Sequence, residues 1–240
     1  MSMASWEPFA APLVEHLRVV RCDLRGQLLT PGPAHRELDG NVADVVQLLD
    51  HLGLPRVDVL GASFGGVLGV LLAARHPERV ASLVAVTVSD HAEEGLAQGA
   101  SDLRPVVAEI LAGGDPGRFH DALVESVYSA AYRAAHAELL ATRRRQISGL
   151  PAGWFAAVDD LLAAVAGYDL RPELARIRCP TLVMVAGDDR VMPPEGGRAL
   201  AAAIPGARLV EHPTSGHALV AEEPEWLAAH TLTFLEGLPS

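Results

Sequence analysis

Ser63 stands in Gly61-Ala62-Ser63-Phe64-Gly65-Gly66, a Gly-x-Ser-x-Gly pattern. The apolar run Val57–Leu60 precedes it, and a helical pattern over Gly66–Arg75 follows. A strand that turns sharply into a helix at such a serine holds the hydroxyl in a strained, exposed position, ready to attack an electrophilic carbon. Gly61 and Gly65 are read as the positions where a side chain would clash with the neighbouring strand and helix. The serine then sits at a helix N-terminus, where backbone N–H groups and the helix dipole favour developing negative charge. The pattern alone is weak in a chain with 22 glycines; its strand–helix setting gives it weight. A phosphate-binding loop would need Gly-x-x-x-x-Gly-Lys-Ser/Thr or Gly-x-Gly-x-x-Gly, and neither begins at Gly61.

A serine hydroxyl is a poor nucleophile until a base removes its proton. His217, in Pro213-Thr214-Ser215-Gly216-His217-Ala218, lies in a loop between the last strand pattern and the last helix pattern. Loops at strand ends are where catalytic side chains concentrate. His76 and His51, beside helix ends, read as surface residues. A carboxylate that orients the base is available in Gly187-Asp188-Asp189-Arg190, just past Thr181–Val185. Neighbours in an extended chain point opposite ways, so one of Asp188 and Asp189 reaches a histidine, and spacing leaves open which.

The elements that must position these groups alternate in period. Leu17–Val20, Val57–Leu60, Val80–Val88, Thr181–Val185 and Arg208–Glu211 read as strands. Val42, Val45, Val46 and Leu49 fall at i, i+3, i+4 and i+7 of a helix that Gly53 caps. Pro224–Leu235 is a helix with proline at its first position. Apolar strands separated by helices predict an α/β fold, a mostly parallel sheet with helices on both faces. The alternation breaks over about residues 91–178, where helical stretches such as Ala122–Leu140 and Phe155–Val165 suggest an inserted cap across the carboxyl edge of the sheet. The whole chain, 1–240, reads as one domain with this insertion. Arg143-Arg144-Arg145 reads as a solvated helix face.

Half of the residues are apolar and 20% are charged, which excludes a disordered chain. A formal charge of −11 disfavours nucleic acid as a partner. Two cysteines, Cys22 and Cys179, support no disulfide framework and read as buried thiols. The N-terminus lacks a basic stretch, and the longest uncharged run, Val59–Ala74, is too short and too glycine-broken to span a membrane. These features predict a soluble, cytoplasmic protein. Oligomeric state is not legible.

The chain resembles the α/β-hydrolase superfamily, in particular small capped esterases, lactonases and C–C bond hydrolases related to 3-oxoadipate enol-lactonase. The matching stretches are Asp23-Leu24-Arg25-Gly26, the Ser63 turn, Arg75-His76-Pro77-Glu78-Arg79-Val80, Cys179-Pro180-Thr181-Leu182-Val183, Gly187-Asp188-Asp189 with Pro193, and Gly216-His217 with Glu223-Pro224. The resemblance implies the chain order nucleophile, acid, base, with Asp189 as the acid. In some relatives the acid follows the strand before the cap, a place that Asp90 would fill. The resemblance also implies a small ester-like substrate, no metal and no organic cofactor. C–C bond cleavage or acyl transfer with the same residues, and a non-catalytic binding role, stay open.

The resemblance further implies two or three strands and a His-Gly loop ahead of Leu17, and this sequence has no His-Gly pair. About 20–30 residues of the family pattern are absent by ordinary element lengths. Either Leu17–Val20 pairs directly with Val57–Leu60, or the sequence is a fragment or comes from a mis-started gene. The Phe64 N–H remains one donor for an oxyanion, and a second is sought in Ser2 to Trp6. Without a second donor, turnover is expected to fall by about 10²–10³-fold.

Overall fold

The computed structural model describes residues 6–92 and 94–238, with the backbone alone described over 94–102. Four strands, β1 (Val57–Ala62), β2 (Val80–Val86), β3 (Thr181–Ala186) and β4 (Arg208–His212), form one sheet in the order β1-β2-β3-β4. Every pairing is parallel. The register sets Ala62 opposite Val86, Val86 opposite Met184 and Ala186 opposite His212. All four strands therefore end on one edge, and the turns that follow them carry Ser63, Asp90, Asp189 and His217. A parallel sheet needs cover on both faces, and β2 and β3 meet that demand with nearly continuous burial.

One face packs on α2 (Leu38–His51), α3 (Phe64–Arg75), α9 (Arg171–Leu174) and α10 (Pro194–Ala203), through Val70, Leu83, Leu174, Val183 and Leu200. The other packs on α1 (Glu7–Val14), α11 (Leu219–Glu222) and α12 (Pro224–Glu236), through Phe9, Val84, Met184, Leu219 and Leu227. Between β2 and β3 run α4 (Glu94–Leu111), α5 (Gly117–Val127), α6 (Ala130–Ala135), α7 (Ala137–Ser148) and α8 (Ala152–Val165). This inserted segment has its own core of Val107, Ile110, Phe119 and Phe155. No helix among the described residues is long and apolar enough to cross a membrane.

Three expectations need correction. Residues 18–24 run without strand pairing, and β1 has β2 as its one partner among the described residues, so Leu17–Val20 neither forms a strand nor joins β1. A strand exists through its ladder; this stretch has Arg18 within it, leaves Val20 47% exposed and buries only part of Val19 against the core. Cys22, which lines the cavity at Ser63, is exposed rather than buried, whereas Cys179 is buried as expected. Burial pushes the Cys179 thiol above its ordinary pKa. Second, the helix read over Ala122–Leu140 is three helices. Tyr128 is extended, and the Ser129 hydroxyl accepts the Tyr132 N–H to start a new one. Third, the arginine triplet is a solvated face only in part: Arg145 is exposed, whereas Arg143 and Arg144 are half-buried. Arg143 donates to the Tyr128 hydroxyl, and Arg144 binds Asp121 and Asp115, tying α7 to α5.

Candidate active site

Ser63 links β1 to α3 at φ 53° and ψ −120°, a conformation that side chains with a Cβ rarely adopt. Such a residue costs on the order of 1–3 kcal/mol and persists when its surroundings fix it. Here the Ser63 N–H donates to the Val86 carbonyl at 2.9 Å, and its own carbonyl accepts the Val67 N–H at 2.9 Å. The glycines explain the rest, with one revision. A Cβ on Gly61 would lie 2.2 Å from the Gly65 carbonyl oxygen, and one on Gly66 would lie 2.1 Å from a Val88 methyl. A Cβ on Gly65 would meet nothing within 4 Å. Gly61 and Gly66, rather than Gly61 and Gly65, are the positions that close approach demands. Gly61→Ala is expected to lower the thermal midpoint by about 2–4 °C, because its clash is with fixed backbone, while Gly65→Ala leaves it unchanged. Melting curves of the two variants check this contrast.

The Ser63 Oγ lies 2.9 Å from His217 Nε2. His217 Nδ1 lies 2.9 Å from Asp189 Oδ2 and 3.1 Å from Oδ1. Both partners of that pair are buried, His217 at 9% and Asp189 at 5% exposure. Asp189 Oδ1 also accepts the N–H groups of Val191 and Met192, at 2.9 and 2.8 Å. Three donors thus hold one carboxylate in a fixed orientation, with its charge stabilised by hydrogen bonds. The turn after β3 decides between the two aspartates. The Asp189 N–H donates to the Ala186 carbonyl and the Asp188 N–H to the Ser215 carbonyl. This folds the Asp189 side chain inward and leaves the Asp188 carboxylate outside, 3.3 Å from Arg190. Asp90 is buried as well, but its carboxylate engages His91 Nδ1 at 2.8 Å.

Phe64 is the first residue of α3, so no carbonyl of its own helix can accept its N–H. No other backbone carbonyl among the described residues takes it either. Ser2 to Ser5, named as the source of a second donor, lie outside the described residues; Trp6 lines the cavity at Ser63. That cavity holds about 750 Å³. Phe119, Trp154 and Leu161 of the inserted segment form one wall, and Val45, Leu68 and Leu72 form another. From Ser63 to Leu72 it follows α3 for about 13 Å, at 1.5 Å per residue.

Two contacts carry no motif and escaped the sequence. The carboxylate of Glu222 bonds Ser129 and Gly216, and Gly187 lies so close to the loop after β4 that a Cβ would sit 2.2 Å from the Pro213 carbonyl oxygen.

The sequence profile of the family described as alpha/beta hydrolase fold matches residues 1–224. "Putative carbamate hydrolase RutD" of Caulobacter sp. strain K31 is 32% identical over 238 residues, covering 97% of this chain and 85% of that one. The crystal structure of the enol-lactonase from Burkholderia xenovorans LB400 superposes with a TM-score of 0.84 at 29% identity, over 98% of this chain and 87% of that one. The crystal structure of MGS-M2, an alpha/beta hydrolase enzyme from a Medee basin deep-sea metagenome library, gives a TM-score of 0.92 over 100% of this chain and 87% of that one. At 22% identity it speaks for the fold alone. With its parallel sheet, its helices on both faces and these relatives, the chain belongs to the α/β-hydrolase superfamily and is a hydrolase of that superfamily.

Proposed function

We propose that the protein hydrolyses a carboxylic ester, thioester or lactone through an acyl-enzyme on Ser63. The observation that carries this reading is the 2.9 Å approach of Ser63 Oγ to His217 Nε2. That distance lies within direct proton-transfer reach. His217 takes the hydroxyl proton as Ser63 Oγ attacks the acyl carbon, and Asp189 stabilises the imidazolium that forms. The oxyanion faces the Phe64 N–H at the start of α3. His217 then protonates the leaving alcohol or thiol. Water, deprotonated by the same imidazole, cleaves the acyl-enzyme, and the serine hydroxyl is restored. Relatives named as a carbamate hydrolase and an enol-lactonase support chemistry at an acyl carbon bound to oxygen. The inserted helices α4 to α8 act as a cap that closes over the reacting bond.

The apolar length of the cavity favours a substrate with an aliphatic or aryl acyl portion. Buried methylenes are each worth about 0.8 kcal/mol when fully desolvated. In a series of p-nitrophenyl esters, kcat/KM is therefore expected to rise by about two- to fourfold per added methylene until the cavity is full. Steady-state hydrolysis of the acetate, butyrate, hexanoate and octanoate tests both parts of the reading. No hydrolysis of any member sinks the esterase reading, and a preference for the acetate sinks the acyl-pocket reading.

A further inference from the structure

The loop that carries His217 is held from a side that the reacting groups do not touch. Glu222, in the short helix α11, spreads its carboxylate over three donors. Its Oε1 accepts the Ser129 N–H at 2.9 Å and the Gly216 N–H at 3.2 Å, and its Oε2 accepts the Ser129 hydroxyl at 2.6 Å. On the other side of the histidine, the Ala218 N–H donates to the Val127 carbonyl at 2.9 Å. Both neighbours of His217 are thus tied to residues 127–129, the joint between α5 and α6 of the inserted segment, Ala218 directly and Gly216 through the Glu222 carboxylate. The fit is close: a Cβ on Gly216 would lie 2.7 Å from the Ser129 nitrogen, 2.9 Å from Glu222 Oε1 and 2.9 Å from the Val127 carbonyl oxygen. Ser129, Gly216 and Ala218 are buried.

Charge chemistry makes this arrangement specific. Among the described residues no Lys, Arg or His lies within ion-pair distance of Glu222. Its charge is committed to two backbone N–H groups and one hydroxyl. Neutral donors bind a carboxylate about twice as strongly as they bind a neutral acceptor. No other acceptor for the Ser129 and Gly216 N–H groups is seen among the described residues, so removing the carboxylate would leave both donors without a partner at a buried joint.

We propose that Glu222 is a positioning residue for catalysis: it locks the histidine loop to the cap, so that the seat of the cap sets the reach of His217 to Ser63. The proposal rests on the hydrolase reading of Ser63 and His217. Glu222 touches no reacting atom and acts through Gly216 and Ser129. A displacement of a catalytic group by about 1 Å can cost about 10²-fold in rate.

The experiment compares wild type with Glu222→Ala, Glu222→Gln and Ser129→Ala on p-nitrophenyl acetate, whose small acyl group leaves most of the cavity untouched. Glu222→Ala is expected to lower kcat by about 10- to 10²-fold with KM within about twofold. Glu222→Gln, which keeps an oxygen for the two N–H groups, is expected to restore kcat to within about fivefold of wild type. The losses in Ser129→Ala and Glu222→Ala are expected to be non-additive in the double variant. A role confined to stability would lower the melting temperature and leave kcat of the folded protein intact. That result overturns the proposal, as does equal loss in the Ala and Gln variants. Should Glu222→Ala not fold, Ser129→Ala decides: a kcat loss of about threefold or more at constant KM supports the lock, and an unchanged kcat overturns it. A wild type that neither hydrolyses the ester nor reacts with a fluorophosphonate removes the hydrolase reading and this proposal together. An active wild type beside an equally active Glu222→Ala removes this proposal alone.

Discussion

Ser63→Ala is expected to reduce ester turnover by about 10⁴-fold or more while leaving the fold in place. The substitution deletes one oxygen and nothing else. That oxygen has a single described partner, His217 Nε2. The backbone that holds residue 63 at φ 53° is fixed by main-chain bonds to Val86 and Val67, which alanine keeps. The strain of the position is already present with serine, so stability should change by less than about 1 kcal/mol. With no hydroxyl, attack falls to water, and the acyl-enzyme route is closed. Any rate that survives measures what the Phe64 N–H and substrate binding contribute without covalent chemistry. Steady-state kinetics beside a circular-dichroism melt check the result. Retained activity in a folded variant would remove Ser63 from the mechanism.

The second large effect is expected at the acid. Asp189→Asn should lower kcat by about 10⁴-fold, and Asp188→Asn should change it by less than about twofold. In the proposed mechanism Asp189 keeps a proton on His217 Nδ1 and so leaves Nε2 free to accept the proton of Ser63. The amide of asparagine offers its own N–H to Nδ1, which favours the tautomer with its proton on Nε2, where it cannot serve as a base. The amide oxygen still accepts the Val191 and Met192 N–H groups that Asp189 Oδ1 accepts now, so the loop after β3 persists. Asp188 faces the exposed Arg190, a surface pair of little energetic weight. Two adjacent aspartates thus have opposite expected outcomes, and the pair of kcat values reads out which carboxylate orients the base.

The strand–helix turn at Ser63 was legible because its signals are local. A tight strand–helix turn needs small residues at fixed offsets, and those offsets stand in the chain. Strands β2 and β3 were legible because strands buried on both faces leave apolar runs, and the less buried β1 and β4 still left short apolar stretches. The readings came within two residues at every end: Val80–Val86 in place of Val80–Val88, and Thr181–Ala186 in place of Thr181–Val185. Leu17–Val20 failed because strand identity is not local; four mostly apolar residues become a strand when a neighbour supplies a ladder, and none does here. Spacing left the choice between Asp188 and Asp189 to the family resemblance, because it depends on a turn closed by the Ala186 carbonyl and on a cross-loop bond to Ser215. The break at Tyr128–Ser129 left a readable trace, a serine at a helix start, which the alanine-rich surroundings masked. Glu222 left none: a glutamate near a helix end is ordinary in sequence, and its partner Ser129 lies 93 residues away.

The most direct measurement is mass spectrometry of the folded protein after treatment with a fluorophosphonate, which reacts with a serine hydroxyl only when a base activates it. One adduct per chain is expected, mapped to the peptide containing Ser63, absent in Ser63→Ala and formed far more slowly in His217→Ala. An unmodified folded protein, or an adduct on any residue other than Ser63, would contradict the proposed mechanism.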